Sequence, residues 1–307
     1  MFGLEIRPFS DEHLDAAARL LAERHASHRQ AEPLLPKVDD FRAQVERDWR
    51  ADNASGAVAV AGSDVAGYLI GRVTDIDCLV DFAGYAARDP ELIRDLYAHV
   101  AAAWVDEGHV RHRVHVPASD ADAVDAWFRL AFGLQLTFGV RETAAEPFTS
   151  IDVIVRRARE DDLDASVALA RHLHEHQLLA PSFSGRELPS EDEYRESWRD
   201  TWQDPDFEYF VAERDGRVVG HLALYRGPPN DLRVAPDSID LSHAVTMGEA
   251  QASGVGVALT THALTWAHEA GYRSMTVDWR EVNLLSSRFW PRRGFRPTFY
   301  RLYRHVP

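Results

Sequence analysis

An internal repeat constrains this chain more than any other feature, because a repeated order of elements fixes both the domain count and the fold of each domain. Residues 4–28 begin with an alternating, strand-like run, followed by a Ser-Asp cap and apolar residues spaced for one helical face. Residues 153–177 show the same order. Two strands joined by a tight turn then follow at 57–73 and at 209–226, and Asp215-Gly216 in the second is a strong hairpin signal.

The repeat continues through both halves of the chain. A strand leads into a long helix from 78–87 and from 238–247, the helices end near Gly108 and Gly271, and a strand, a helix and a final strand pair follow. We therefore predict two tandem domains, 1–145 and 151–307, on either side of a stretch of small residues with a proline. Each is expected to be a mixed α/β domain, with a central, mostly antiparallel sheet flanked by helices.

Composition excludes several classes of function. The 307 residues include 34 basic and 49 acidic side chains, a formal net charge of -15, and one cysteine, Cys78. An acidic surface opposes binding to nucleic acid, and a single cysteine supplies neither an internal disulfide nor a thiolate zinc cluster. The sequence shows no signal peptide and no apolar run of membrane-spanning length, so we expect a cytoplasmic protein without a membrane partner, either a monomer or a homodimer.

A glycine-rich turn carries the clearest chemical signal. The run Gln251-Ala252-Ser253-Gly254-Val255-Gly256 follows a predicted strand and opens a predicted helix. Glycines allow close approach of the backbone to a ligand, and the free N–H groups and positive dipole end of a helix attract phosphate. The pattern therefore indicates a pyrophosphate site, although a tight turn that only starts a helix would share it.

A second motif lies downstream, where Asn283 precedes Gly294-Phe295 by eleven positions. The two motifs, in this order of elements, resemble the cofactor-binding motifs of the GNAT family of N-acetyltransferases. The resemblance covers about residues 151–307 by motif and about 3–143 by element order alone. It implies a tandem GNAT architecture in which each sheet is splayed at the cofactor site.

The resemblance also implies the cofactor and the reaction. Acetyl-CoA would be the co-substrate, and its acetyl group would pass to a primary amine, of a small molecule in our interpretation, by direct attack on the thioester. A main-chain N–H near the end of the strand would polarise the thioester carbonyl, and no metal is expected. The implied cofactor-binding residues are Val245, Thr246, Met247, Gln251, Ala252, Ser253, Gly254, Val255, Gly256, Val257, Asn283 and Ser286.

The catalytic groups are less determined. Trp290 stands where many GNAT members carry a tyrosine that protonates the departing thiolate, so Tyr300, Tyr303, the substrate or solvent is expected to take that role. His243 is our predicted general base, because an unperturbed imidazole titrates near pH 6.5. Strand alternation would place His243 and Asp240 on opposite faces. We expect His172, His174 and His176 to scatter around their helix and to form no metal site.

Other positions point to the ligands. Arg288, Arg292 or Arg293 is a candidate for the terminal phosphate of CoA, and a solvated helix face is the alternative. The acidic insertion 178–209, with Trp198 and Trp202, favours a cationic amine as acceptor, although it also suits an amphipathic helix that packs its tryptophans. The first half has side chains and carboxylates at 88–91 in place of the glycines, so we predict a degenerate domain that does not bind CoA.

Two other functions compete with an N-acetyltransferase. The first is a non-catalytic acyl-CoA sensor or scaffold, which Trp290 favours. The second is an enzyme similar to mycothiol synthase, because that enzyme is also a tandem GNAT protein. Release of free CoA in the presence of an amine distinguishes an enzyme from a sensor.

Overall fold

The computed structural model describes residues 4–147, 152–183, 189–227, 232–250 and 253–307. These residues form two compact units. The first contains 4–138, 232–235 and 297–307, and the second contains the remaining described residues between 139 and 296. Whereas the sequence predicted a second domain running to 307, the last eleven residues lie in the first unit. They do so because Phe299–His305 pairs with Arg111–Pro117 of that unit.

Nearly the same order of strands and helices occurs twice along the chain, as the repeat predicted. The strands are β1 (Leu4–Pro8), β2 (Ala54–Ala61), β3 (Asp64–Thr74), β4 (Asp77–Val80), β5 (Tyr85–Ala87), β6 (Arg111–Pro117), β7 (Gly133–Glu142), β8 (Ile154–Arg157), β9 (Phe207–Arg214), β10 (Arg217–Tyr225), β11 (Ser238–Thr246), β12 (Ser274–Arg280) and β13 (Arg296–His305). The helices are α1 (Leu14–Ala31), α2 (Phe41–Trp49), α3 (Pro90–Asp106), α4 (Ala121–Phe128), α5 (Leu163–Leu178), α6 (Glu191–Gln203), α7 (Val255–Glu269) and α8 (Ser286–Arg292). Within the described ranges, none of these helices has the length and apolarity needed to cross a bilayer.

The sheet of the first unit follows the order β1-β2-β3-β4-β6-β13-β7, and β5 also pairs with β3. Strands β4 and β6 are parallel, whereas β1, β2 and β3 pair in antiparallel fashion. Both faces are covered, since Ala57 and Ala59 join the core with α3 and α4, and Val58 and Val60 join the core with α1 and α2. Leu232 packs in the latter core, which places the segment 232–235 in this unit.

The sheet of the second unit follows the order β12-β11-β10-β9-β8. Strands β11 and β12 are parallel, and the other neighbours are antiparallel. Asp215 and Gly216 take φ values of 50° and 72° in the turn between β9 and β10, as the hairpin signal predicted. The core lies between this sheet and α7. The predicted fold class is confirmed, because each unit is a mixed, mostly antiparallel sheet with flanking helices.

The two parallel strands of the second unit separate part of the way along. The two strands pair from Ser238 and Ser274 to Leu241 and Val277. Beyond these residues β11 continues to Thr246 and β12 to Arg280 without pairing to each other. A β-bulge at Ser242 marks the point of separation. Bulges bend a strand and increase its twist. The sheet therefore opens at the carboxyl ends of β11 and β12, beside the start of α7.

Candidate functional site

The glycine turn opens helix α7 beside the separated strands. Gly254 is the N-cap of α7 with φ +91°, and a Cβ there would meet no heavy atom within 4 Å. Glycine adopts this left-handed conformation without steric cost. The first intrahelical bond runs from the Ala258 N–H to the Gly254 carbonyl at 2.9 Å, so the N–H groups of 255–257 are open to a ligand. Gln251 and Ala252 lie outside the described residues.

A cavity of about 430 Å³ lies at this opening. Its walls come from the end of β11, the start of α7, the turn between β12 and α8, and helix α5. Seven predicted cofactor residues line it: Val245, Thr246, Gly254, Gly256, Val257, Asn283 and Ser286. Residues far apart in sequence are thus brought to one cleft. Ala244, which the sequence reasoning missed, also lines it.

The remaining predicted cofactor residues take other roles. Val255 is fully buried in the core, so only its main chain can face a ligand. Ser253 donates its hydroxyl to the Ala250 carbonyl at 2.6 Å and accepts from Arg214 at 3.1 Å. The Met247 N–H donates to the Val219 carbonyl at 2.9 Å.

That last hydrogen bond fixes which main-chain groups of β11 face the cleft. Hydrogen-bonded pairs alternate along an antiparallel ladder, and Thr246 and Ala244 pair with Gly220 and Leu222 of β10. The Met247 bond therefore places the N–H and C=O groups of Ala244 and Thr246 on the side away from β10, toward the opening. A ligand that adds to this edge would bond to these two residues rather than to Val245 or Met247.

Asn283 organises the turn on the opposite wall. Its side chain is 6% exposed, and its Oδ1 accepts from the N–H groups of Leu285 at 3.1 Å and Ser286 at 3.4 Å. Ser287 donates its hydroxyl to the Asn283 carbonyl at 2.8 Å. This arrangement caps α8. The Nδ2 group of Asn283 is then the part of the side chain available to a ligand in the cleft.

The bulge at Ser242 changes where His243 points. Leu241 and Ala244 both pack against the α7 side of the sheet, because the extra residue reverses the alternation between them. Asp240 bonds to Thr276 on the opposite side, and the ring of His243 contacts Trp198 of α6. Asp240 and His243 thus lie on the same face, and the expectation of opposite faces was wrong.

His243 forms an aromatic cluster with His221 and Trp198. The ring centroids are 4.7 Å apart for the two histidines and 5.3 and 5.4 Å for the contacts of Trp198 with His243 and His221. His221 is fully buried, and neither of its ring nitrogens finds a partner among the described residues. Burial lowers the pKa of His243 to about 4 and holds the pKa of His221 well below its usual value. His243 itself does not line the cleft.

Two histidines of α5 do line the cleft, and the sequence reasoning missed them. His172 and His176 face it with Leu173 between them. Residues four apart share a helical face, so the expectation that these histidines scatter around the helix was wrong for this pair. Among the residues that the structure describes, no group of three or more His, Cys, Asp or Glu side chains is placed to hold a metal ion.

The predicted acids and cations lie elsewhere. Trp290 lines the cleft, is 7% exposed, and packs against Phe295 with ring centroids 5.5 Å apart. Tyr300 lies in the first unit, where its Cα partner is Val116 and its ring packs on the core. Arg292 and Arg293 line a separate cavity of about 240 Å³ rather than the cleft.

The equivalent helix of the first unit begins differently. Helix α3 starts at Pro90, and the carboxylate of its N-cap, Asp89, accepts from the Glu91 N–H at 3.0 Å. Glu91 is itself paired with Arg94 at 2.8 Å. Side-chain oxygens thus occupy the helix terminus that is open in the second unit.

Comparison with known proteins agrees with this geometry. Residues 173–295 match the sequence model of the Acetyltransferase (GNAT) family. This segment is a GNAT domain. It contains the end of α5, the splayed strands, the glycine turn and α8, and so it includes every described lining residue of the cleft except His172. A search of curated protein sequences gave no match.

Solved structures extend the GNAT fold to nearly the whole chain. A GCN5-related N-acetyltransferase from Sphaerobacter thermophilus is 16% identical, with a TM-score of 0.60 over 98% of this chain and 95% of that one. A tandem GNAT protein from the clavulanic acid biosynthesis pathway is 14% identical, with a TM-score of 0.53 over 98% and 97%. A GCN5-related glucosamine N-acetyltransferase region of a fungal multi-domain β-N-acetylglucosaminidase is 14% identical, with a TM-score of 0.58 over 99% of this chain and 38% of that one. At these identities the likeness concerns the fold.

Proposed function

We propose that the second unit is an acetyl-CoA-dependent N-acyltransferase that acetylates a primary amine of a small molecule. One observation carries the proposal. The open edge of β11, the free N–H groups at the start of α7 and the Asn283 turn all border one cleft of about 430 Å³. The free N–H groups suit a diphosphate, and the open strand edge suits an arm that carries amides.

The start of α7 suits the diphosphate. The N–H groups of 255–257 have no intrahelical acceptor, and the positive end of the helix dipole adds to their attraction for phosphate. Gly254 and Gly256 place no side chain over this end of the helix, although a Cβ would meet no close contact at either position. Backbone donors of this kind work in an acidic protein because they need no basic side chain.

The edge of β11 suits the arm. The main-chain groups of Ala244 and Thr246 face the cleft and can pair with two amides, as in the addition of a strand to a sheet. An arm with two amides has the length of roughly four residues of extended chain. Counted back from Thr246, that length ends at the bulge of Ser242. The thioester would therefore lie beside the bulge at Ser242, beyond the two amides, where a main-chain N–H of the strand would polarise its carbonyl.

The chemistry proposed at that point is direct acyl transfer. The amine lone pair attacks the thioester carbonyl carbon, a C–N bond forms, the C–S bond breaks, and the sulfur leaves with the electron pair. The nitrogen loses one proton, and the thiolate gains one. We propose His243 as the proton acceptor, since its lowered pKa keeps the imidazole neutral at pH 7. His243 does not line the cleft, so the proton would reach its ring through one intervening water molecule.

The proton for the thiolate has a different proposed source. The described residues that line the cleft include no tyrosine, and an indole such as that of Trp290 does not act as an acid near neutral pH. We assign this proton to water. Tyr300, which the sequence suggested for the role, lies in the first unit.

A cationic acceptor fits the charge of the chain and of α6. The first turn of α6 carries Glu191, Asp192 and Glu193, of which Glu193 is used in the helix cap, bonding to the Ser190 N–H at 2.9 Å. Trp198 and Trp202 pack on the sheet, and Trp202 stacks on Tyr209 at 4.4 Å. The tryptophans therefore act in packing, while the exposed carboxylates favour a cation by long-range attraction.

Release of free thiol from acetyl-CoA tests the proposal. The protein is incubated with acetyl-CoA and a panel of small amines, and thiol and acetylated product are both measured. We expect product from at least one amine and none from the matching alcohols. Saturable binding of acetyl-CoA without turnover on any amine would instead support an acyl-CoA sensor, the second candidate, which the tryptophan at position 290 favours.

A further inference from the structure

The first unit has a cleft of its own at the equivalent position of the repeat. Strands β4 and β6 are parallel and pair only as far as Val80 and Val114, although β6 continues to Pro117. A cavity of about 370 Å³ lies beside the ends of β5 and β6, between α1 and the start of α4. β4 ends at Val80, and clefts beyond the carboxyl ends of parallel strands are common ligand sites. This one has no role in the function proposed above.

The walls of this cleft do not suit CoA. Arg24 donates to the main-chain oxygens of Tyr85 and Phe82, and its guanidinium lies 4.9 Å from the centre of the Tyr85 ring. The Tyr85 carbonyl lies at the start of β5 and the Phe82 carbonyl between β4 and β5, so acceptors that an extended arm would need here are already bonded. The Asp89 carboxylate also covers the start of α3. A polyanion would meet carboxylates here instead of open N–H groups.

His28 indicates which hydrogen-bonding group the cleft would accept. The residue lines the cleft and is 3% exposed, and its Nε2 is buried without a partner among the described residues. The ring also makes a hydrogen bond to the Thr298 backbone. Since Nε2 has no partner, that bond assigns the proton to Nδ1, and the neutral ring then presents Nε2 as an acceptor. The group that satisfies it must be a hydrogen-bond donor.

Charge indicates that this donor is a cation. Glu23, Asp120 and Asp122 line the cleft, against Arg24 and Arg88. The Arg24 guanidinium is engaged with main-chain oxygens, and Asp120 accepts from the Ala123 N–H at 3.0 Å as the cap of α4. Glu23 and Asp122 are exposed at the rim. Both arginines keep their charge, so three carboxylates against two arginines leave the lining with a net charge of -1.

We propose that this cleft binds the ammonium group of a small amine, which donates to His28 Nε2 and is attracted by Glu23 and Asp122. The site is separate from the acetyl-CoA cleft and goes beyond the proposed acyl transfer. It gives the first unit a binding function of its own. Burial lowers the pKa of His28 to about 3, so the acceptor nitrogen is available throughout the physiological pH range.

Binding titrations without acetyl-CoA test this site. Putrescine and glucosamine are the probes, and glucose is the uncharged counterpart of glucosamine. Ser27→Phe fills the cleft from an exposed position of α1. The double variant Glu23→Gln/Asp122→Asn removes the charges at the rim, and Asp64→Asn/Asp95→Asn removes two exposed carboxylates of the same unit that do not line the cleft.

We expect saturable binding of at least one amine and none of glucose. Affinity should fall about tenfold in the Glu23→Gln/Asp122→Asn variant, as the loss of two partly exposed charge pairs predicts. It should be lost in Ser27→Phe and stay unchanged in the matched control. No saturable amine binding, or equal affinity in the wild-type protein and both cleft variants, would overturn the proposal. Because no acyl donor is present, either result leaves the acyltransferase assay to be judged separately.

Discussion

Replacing Gly254 tests the proposed diphosphate site at the start of α7 most directly. Asn and Asp have nearly the same shape at this position and differ in charge. A Cβ at Gly254 would contact nothing within 4 Å, so only the φ of +91° opposes a side chain. Left-handed backbone costs a typical L-residue about 1–2 kcal/mol, and less for Asn and Asp. Gly254→Asn should therefore weaken CoA binding by less than about tenfold.

Gly254→Asp adds a negative charge to nearly the same shape. At about 5 Å and an effective dielectric constant near 20, one charge pair is worth about 3 kcal/mol. Repulsion from the diphosphate should therefore lower CoA affinity at least about 100-fold more than Gly254→Asn does. Isothermal titration at low ionic strength measures the difference, which added salt should reduce. The folded state should persist, since a carboxylate at a helix N-terminus is favourable.

Gly271→Asn is the matched control. Its φ is +89°, and a Cβ there also meets nothing within 4 Å, but it lies just after the C-terminus of α7. The same backbone strain should then lower the free energy of unfolding without changing CoA affinity. If Gly254→Asp and Gly254→Asn bound CoA equally well, or if Gly254→Asp kept wild-type affinity, the diphosphate would not lie at this turn.

Three further changes give separate tests. His243 has a pKa of about 4 in the folded protein and near 6.5 in the unfolded protein, so the unfolded state binds a proton at a higher pH. The free energy of unfolding should therefore fall by about 3 kcal/mol as the pH drops from 6.5 to 4. Urea denaturation should show this loss, and a smaller one in His243→Asn. Asn283→Ala removes the α8 cap and should cost about 1 kcal/mol while also weakening CoA binding, and equal affinity in a titration would contradict its place in the site. Trp290→Tyr places a phenol in the cleft and should raise the rate of thiol release above the rate with water as the proton source, and an unchanged rate would show that protonation of the thiolate is not rate-limiting.

The fold could be predicted where local residues decide it. Asp215-Gly216 specifies its hairpin, and the glycine run after β11 specifies the start of a helix. The last strand is different, because no local signal in Phe299–His305 specifies which sheet it joins. Its pairing with β6 is decided by tertiary packing. Local sequence therefore could not show that 297–307 completes the first unit.

The candidate site, like the fold, could be predicted only where local sequence decides the structure. The glycines were identified from their place between a strand and a helix, and Asn283 and Ser286 through the resemblance to the GNAT motifs; all of them line one cleft. The direction of His243 depended on the bulge at Ser242, for which the sequence has no glycine or other local signal. The pair His172 and His176 did have a signal, the four-residue spacing of one helical face, and the expectation of scatter overlooked it.

The two units show how one fold accommodates opposite chemistry at the same helix terminus. Every α-helix begins with N–H groups that need acceptors. In the first unit the acceptor is the chain's own Asp89 carboxylate, so α3 is complete without a ligand. In the second unit Gly254 supplies no side-chain acceptor, and α7 keeps its donors for an anion. With glycine in place of the carboxylate, α7 loses the stabilisation of an N-cap side chain and can bind an anion instead. A chain with a net charge of -15 can therefore still offer a site for a polyanion.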